Sequence, residues 1–295
     1  SRSGRRWRLG GLRSLGLTRM MELVMTGTGS PLPDAHRAGP SQLVVVNGRG
    51  FLIDCGRGCL MRLAAAGMAS GGLDRLLITH MHSDHVCDVN DLITTRWVTG
   101  FPALPLPIVG PLGTQQFIDD PLTMLGPDFG WRIAHHEDIS DPPEVLVTEV
   151  ESGVVFDDGE VRIIAAPTEH KPVHPTVGYR IEAEGKAVVL AGDTLPCPAL
   201  DDLCAGADVY VQTVVRDEVI SAIPLQRLKD VLDYHSSVAD AAKTAQRTGV
   251  STLVLNHCVP APPAGTESEW VDLAAKHFDG EILLPSDLDR IPVGD

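Results

Sequence analysis

Long apolar runs and paired cysteine motifs are missing from this chain of 295 residues. No stretch approaches the ~18 uninterrupted apolar residues of a membrane span, so we expect a soluble protein with no contact to a membrane. The six cysteines contain no C-x-x-C pair and follow no secretory leader. This usage is typical of reduced thiols in the cytoplasm and argues against a disulfide framework or a thiolate zinc site.

Positive charge is also scarce, with 24 Lys and Arg against 39 Asp and Glu and a formal net charge of -15. Residues 1–19 hold six arginines and no acid, which leaves 18 basic against 39 acidic residues, or -21, for the rest. This balance argues against a broadly basic surface that coats nucleic acid, but it leaves room for a small basic patch. We expect residues 1–19 to be a disordered leader upstream of a natural start at Met20 or Met21, with a targeting peptide as the alternative.

From Met20 onwards, short β-like runs alternate with helix-like segments. Strand patterns precede helix patterns twice along the chain, which predicts two packed sheets with helices outside, within one domain spanning residues 20–295. Residues 126–143 are rich in Pro, Gly and Asp and are predicted to be an irregular connection. Ser236 or Ser237 is predicted to cap a helix that ends at Gly249.

The most informative segment is His80-Met81-His82-Ser83-Asp84-His85, which directly follows the apolar strand RLLIT. Neutral imidazole and carboxylate groups suit zinc, and the i, i+2 spacing lets His80 and His82 bind one ion while Asp84 and His85 turn toward a second. The alternative is a polar loop with incidental histidines. Three of the chain's 11 histidines within six residues favour a metal site.

Four other candidates lie at the ends of predicted elements. His170, Asp193 and His257 each follow a strand pattern, and His235 precedes the cap of a helix. Taken singly, such a residue is more often part of a turn. Together with the histidine segment, the four predict one site to which several strand ends contribute.

The H-x-H-x-D-H segment resembles that of the metallo-β-lactamase superfamily, and the chain is most similar to its ribonuclease Z branch. The similarity runs through residues 20–290 and rests on six short motifs: GTGSPLPDAHRAGPSQLVV, FLIDCGRG, TEH…VGYRI, VLAGDT, DYHSSVADAA and LVLNH. The resemblance implies an α/β fold of four αββα layers, with two packed mixed sheets and helices outside. It also implies a homodimer.

The resemblance further implies a role for each candidate. His80, His82 and His170 would hold a first zinc ion, Asp84, His85 and His257 a second, and Asp193 would bridge the two. His174 competes with His170 for the third position, and we prefer His170 because it directly follows the strand. His235 matches the family's histidine that assists protonation of the leaving group.

Such a site supports hydrolysis by an activated water. Two divalent ions ~3.5 to 4 Å apart lower the pKa of a bridging water, and Asp84 can orient the resulting hydroxide as well as bind metal. Zn²⁺, Mn²⁺ and Fe²⁺ all accept these ligands. Asp54 ends another strand and either hydrogen-bonds a ligand histidine or shapes a turn.

The expected function is metal-dependent phosphodiester hydrolysis, by resemblance the endonucleolytic trimming of precursor-tRNA 3′ ends. Ribonuclease Z proteins usually carry a basic arm that grips the tRNA, whereas residues 100–143 contain only Arg132 as Lys or Arg. A small-substrate hydrolase of the same fold is therefore the alternative: an aryl or alkyl sulfatase, a cyclic-nucleotide phosphodiesterase or a lactonase. A metal-free binding scaffold is disfavoured because every expected ligand is present.

Overall fold

The computed structural model describes residues 21–294, which contain fourteen strands and ten α-helices joined by loops. The predicted leader, residues 1–19, lies outside the described residues. The strands are β1 (Met21–Gly27), β2 (Ser41–Val46), β3 (Arg49–Ile53), β4 (Leu73–Leu77), β5 (Leu106–Gly110), β6 (Val145–Glu149), β7 (Gly153–Asp157), β8 (Val161–Pro167), β9 (Val177–Ala183), β10 (Lys186–Leu190), β11 (Val209–Val215), β12 (Thr252–Val259), β13 (Glu281–Leu283) and β14 (Arg290–Pro292). The helices are α1 (Cys59–Ala65), α2 (Ser83–Val86), α3 (Val89–Thr99), α4 (Thr114–Met124), α5 (Gly126–His135), α6 (Pro198–Cys204), α7 (Asp217–Ala222), α8 (Gln226–Lys229), α9 (Val238–Thr248) and α10 (Glu267–Ala274).

The strands form two mixed sheets of seven, in the orders β14-β1-β2-β3-β4-β5-β6 and β13-β12-β11-β10-β9-β8-β7. In the first sheet, β3 to β6 pair in parallel and the strands before them pair antiparallel. In the second, β10 to β13 pair in parallel and β7 to β10 pair antiparallel. Each half of the chain therefore builds one sheet, apart from β14, which returns to the first.

Three hydrophobic clusters separate four layers. The central cluster lies between the sheets and includes Phe51 from the first and Tyr179 from the second. The outer clusters join each sheet to its helices, through Leu92 of α3 on one side and Trp270 of α10 on the other. Successive strand side chains point to opposite faces, so one strand supplies two clusters: Val211 faces the other sheet and Tyr210 faces the helices. The predicted αββα four-layer fold is confirmed.

Residues 126–143 differ from the sequence-based prediction, which was wrong for the first part of this segment. The helix α5 begins at Gly126, with Pro127 in its first turn, where a missing N–H costs nothing. Phe129 is buried and packs edge-on against Trp97 of α3 at 5.3 Å between ring centroids. Tertiary packing of one aromatic residue therefore outweighs the Pro- and Gly-rich composition. Strands β7 and β14 were not predicted either.

The parallel strands bring the predicted site residues to one edge of the sandwich. Asp54 and His80 lie just beyond the carboxyl ends of β3 and β4, and Asp193 lies just beyond β10. Strand β8 runs in the same direction as β10, because both pair antiparallel with β9, so His170 lies at this edge too. No helix of residues 21–294 is long and apolar enough to cross a membrane.

Candidate metal centre

The loop after β4 holds its side chains in place because its backbone is buried. Ile78 continues the sheet by donating its N–H to Val109 O, and the short helix α2 then places Asp84 and His85 on its first turn. His80, Asp84 and His85 are 5% exposed or less, whereas His82 is partly exposed. The loop after β3 packs tightly against this segment: a Cβ on Gly56 would lie only 2.3 Å from the carbonyl oxygen of Asp84.

Three imidazoles form one side of the cluster. His82 Nδ1 lies 3.1 Å from His80 Nε2 and 3.3 Å from His170 Nε2. Burial lowers the pKa of all three, that of His170 to about 4, so the rings are neutral near pH 7. His170 is the histidine that the structure places in this group; His174 is exposed.

The outward partners of these rings fix which nitrogen carries the proton. Thr79 Oγ1 donates to Asp54 Oδ2 and so accepts from His80 Nδ1 at 3.0 Å. His170 Nδ1 donates to the carbonyl oxygen of Tyr234 at 2.8 Å. His80 and His170 therefore both present an Nε2 lone pair to His82 Nδ1. Because one proton on His82 can satisfy only one of them, this arrangement fits a cation between the three nitrogens better than it fits hydrogen bonds.

Asp84, His85 and His257 form the other side. Asp84 Oδ2 lies 3.1 Å from His257 Nε2 and 3.7 Å from His85 Nε2. Burial opposes ionisation of Asp84, but the hydrogen bond from His257 and the neighbouring imidazoles lower its pKa. His85 Nδ1 bonds Asp54 Oδ2 at 2.7 Å, which leaves His85 Nε2 buried without a hydrogen-bond partner.

Asp193 lies between the two groups. Its Oδ2 is 3.8 Å from the Nε2 atoms of His80, His170 and His257 and 3.5 Å from that of His85. Its Oδ1 is buried and has no hydrogen-bond partner. Burial would raise the pKa of Asp193, yet the surrounding imidazoles hold it well below its ordinary value. A buried carboxylate with an unpaired oxygen, equidistant from two ligand groups, is suited to bridge two cations.

The seven predicted ligand residues thus converge as two groups that could each hold a metal ion. The ligand atoms within each group lie within 4.8 Å of one another. The groups are His80, His82, His170 and Asp193 on one side, and Asp84, His85 and His257 on the other.

His235 faces the cluster from the segment before α9. Its Nε2 lies 3.2 Å from Asp193 Oδ2 and its Nδ1 donates to Val231 O at 2.9 Å. Burial lowers the pKa of His235, but the hydrogen bond and charge of Asp193 more than offset this, so the pKa is raised. A raised pKa makes this ring a proton donor near neutral pH.

Sequence reasoning identified Asp54 only as one of two alternatives and missed Thr79. The structure shows the hydrogen-bonding alternative for Asp54, which accepts from Thr79 N and Oγ1 as well as from His85. Gly192 explains why Thr79 fits, because a Cβ at this left-handed position (φ 65) would lie 2.8 Å from the Thr79 side chain. The sequence features that could have indicated this contact are the Thr directly before the first histidine and the Gly directly before Asp193.

Comparison with known proteins agrees with this geometry. The family model of the β-lactamase superfamily domain matches residues 49–258. Ribonuclease Z of Mycobacterium bovis is 51% identical over 276 residues, which cover 93% of this chain and 99% of that protein. Ribonuclease Z of Mycobacterium marinum is 52% identical over the same shares. The crystal structure of human tRNase Z, short form, superposes with a TM-score of 0.71 at 21% identity, covering 93% of this chain and 100% of that one.

The fold and the matched segment place the chain among the metal-dependent hydrolases of the β-lactamase superfamily. About half of the residues are identical to those of the two mycobacterial ribonuclease Z proteins over nearly the whole length, so the chain belongs to the ribonuclease Z family. The ribonuclease Z-like prediction is thereby confirmed.

Proposed function

We propose that this protein cleaves a phosphodiester bond in RNA, trimming precursor tRNA at its 3′ end, with two zinc ions as cofactors. The observation that carries the proposal is Asp193, whose carboxylate lies between two ligand groups drawn from both sheets. The tRNA substrate rests on the relatives named ribonuclease Z. Zinc is preferred because the donor set is rich in imidazole, although Mn²⁺ and Fe²⁺ accept the same ligands.

The proposed ligand roles follow the two groups. His80, His82 and His170 would hold one ion, Asp84, His85 and His257 would hold the other, and Asp193 would be shared between them. Bound there, two divalent ions would lower the pKa of a shared water and stabilise negative charge on the phosphate. The outward hydrogen bonds to Thr79, Asp54 and the Tyr234 carbonyl occupy Nδ1 of His80, His85 and His170, so that Nε2 of each ring faces the cluster.

Two side chains act on the reacting groups. Asp84 Oδ2, which lies 3.1 Å from His257 Nε2, would orient the attacking water through a hydrogen bond. His235 Nε2 donates its proton to the departing oxygen, a step worth typically ~10²- to 10⁴-fold. Asp193 keeps that proton available because its carboxylate stabilises the imidazolium form of His235.

Local positive charge beside the cluster supports an RNA substrate despite the acidic body. Arg37, Arg57 and Arg62 line a pocket of about 340 Å³. The chain beside this pocket is joined to the histidine segment, because Cys55 donates its N–H to the carbonyl oxygen of His85. Arg62 is paired with Asp287 at 2.8 Å, whereas within residues 21–294 Arg37 and Arg57 form no ion pair with a carboxylate, and Arg37 donates to Thr28 Oγ1 and Pro285 O. Arg132, in contrast, is paired with Asp128 on α5. Unpaired arginines are the residues that bind phosphates most readily.

The decisive assay offers the metal-loaded protein precursor tRNA, a cyclic nucleotide, an aryl sulfate and an acyl-lactone side by side. We expect cleavage of the RNA immediately after the discriminator base and little turnover of the rest. Asp84→Ala should abolish this cleavage, whereas Asp138→Ala, an exposed carboxylate in the loop before β6, should not change it. Turnover of a small ester without RNA cleavage would reject the proposed substrate.

We also propose that residues 20–295 form one domain that works as a homodimer in the cytoplasm. The central core draws Leu23 and Val188 from opposite halves of the chain, which supports one domain. Exposed apolar side chains such as Met61, Met124 and Trp131 offer surface for a second copy. None of the six cysteines is in a disulfide, which is usual in a reducing compartment.

A further inference from the structure

Tyr234 places an aromatic ring directly against the histidine cluster. Its ring centroid lies 5.1 Å from that of His170 and 4.7 Å from that of His235. Among the residues that the structure describes, it is the one Trp, Tyr or Phe whose ring contacts these imidazoles. It ends the exposed segment of α7 and α8 that precedes His235.

The ring of Tyr234 differs from the other two tyrosines. Tyr179 and Tyr210 are fully buried, and their hydroxyls donate to Ile78 O and Gln212 Oε1. Tyr234 is partly exposed, and its hydroxyl bonds no residue within 21–294. The hydrogen bond between Tyr234 and His170 is made by the backbone of Tyr234, because His170 Nδ1 donates to the Tyr234 carbonyl oxygen. The hydrogen bond that orients His170 therefore does not depend on the aromatic side chain.

We propose that Tyr234 stacks on the base of the nucleotide that carries the leaving oxygen. This inference rests on the proposed RNA substrate and on the role of His235. Because His235 must reach the leaving oxygen, the nucleotide attached to that oxygen lies beside His235, and the adjacent ring is Tyr234. A partly exposed aromatic ring that lacks a polar partner is a platform on which single-stranded RNA bases stack.

The test compares the effect of a protein substitution on RNA substrates that keep or lack a single base. Tyr234→Leu removes the aromatic ring and keeps the carbonyl that holds His170. Each protein is assayed on three RNAs: an intact precursor, one that lacks the base on the leaving-group side of the scissile bond, and one that lacks the base on the other side. We expect Tyr234→Leu to lower kcat/KM on the intact RNA by roughly 5- to 150-fold.

On the RNA without the leaving-group base, wild type and Tyr234→Leu should be nearly equal, because the interaction is already lost. On the other abasic RNA, the variant's full loss should remain. Tyr234→Phe should restore most of the activity, since it keeps the ring. Phe101→Leu, which removes an exposed ring in the loop before β5 at the opposite edge of the sheet, should match wild type.

The outcomes separate the two proposals. If wild type cleaves RNA but Tyr234→Leu loses the same factor on all three substrates, the stacking role is wrong and the proposed function stands. If wild type fails to cleave RNA, the proposed function is wrong, and the stacking role is overturned with it because it requires a nucleotide. Metal content of Tyr234→Leu equal to that of wild type is the check that the loss is not a damaged centre.

Discussion

A histidine binds metal through a nitrogen that carries no proton, so its outward hydrogen bond decides whether it is a ligand. In this site one carboxylate governs two histidines on opposite sides of the cluster. Asp54 accepts directly from His85 Nδ1 and, through Thr79 Oγ1, sets the tautomer of His80. Its backbone is left-handed (φ 56), a conformation that Asp tolerates better than most residues. Asp54 therefore couples the two metal positions.

We predict that Asp54→Ala weakens metal binding roughly 10- to 100-fold, the usual effect of losing a hydrogen-bond partner of a ligand. The change leaves His85 Nδ1 and the buried Thr79 N–H without their acceptor. Metal retained during titration with a competing chelator measures the effect. Asp138→Ala, which alters an exposed carboxylate, should bind metal like wild type. Equal affinity for both variants would show that Asp54 serves only the turn.

At the residue scale, the sequence was most informative where ligands are neighbours. The H-x-H-x-D-H spacing and the strand ends, together with the family resemblance, selected the seven residues that the structure brings together. The supporting contacts were harder to predict, because Asp54 and Thr79 are 25 residues apart and Tyr234 and His170 are 64 apart. Such pairs meet only after the strands and loops of one half of the chain have folded together.

At the scale of single elements, α9 fixes the position of His235. Ser237 caps this helix through a capping box with Asp240, and Ser236 bonds the carbonyl oxygen of Thr194, next to the bridging Asp193. Gly249 ends the helix in the left-handed conformation that a side chain would disfavour. Caps are local in sequence, so this helix was predicted correctly at both ends. Helix α5 was not, because the contact that stabilises it comes from α3.

We predict that Ser237→Ala lowers the free energy of unfolding by about 0.5 to 2 kcal/mol, because the Asp240 N–H in the first turn of α9 loses its acceptor, Ser237 Oγ. Urea denaturation at fixed metal concentration, followed by circular dichroism, measures this. Ser221→Ala, at an exposed position of α7, is the matched control and should change stability by less than about 0.5 kcal/mol. A loss no larger than that of the control would mean that the capping box contributes nothing measurable.

At the scale of the whole molecule, the cluster lies where the two sheets meet. The first sheet supplies the loop from His80 to His85, and the second supplies His170, Asp193 and His257. Without a cation, these buried lone pairs and carboxylates face one another across the junction, an arrangement that costs free energy. Binding a cation to the folded state alone stabilises it, by ~4.1 kcal/mol when the free ion exceeds its dissociation constant 1,000-fold.

We therefore predict that removing the metal lowers the thermal unfolding temperature by several degrees and that adding zinc restores it. Scanning calorimetry of the chelated and reloaded protein measures the shift. His82→Ala on the first sheet and His170→Ala on the second should each reduce the metal-dependent gain, because each removes a ligand of the same group. If only one variant lost the metal-dependent rise in unfolding temperature, metal binding would stabilise one sheet and not the contact between the two sheets. If the metal centre joins the two sheets, His82→Ala and His170→Ala should lose equal parts of the metal-dependent rise in unfolding temperature. Metal binding would then be required for the stability of the whole sandwich as well as for its chemistry.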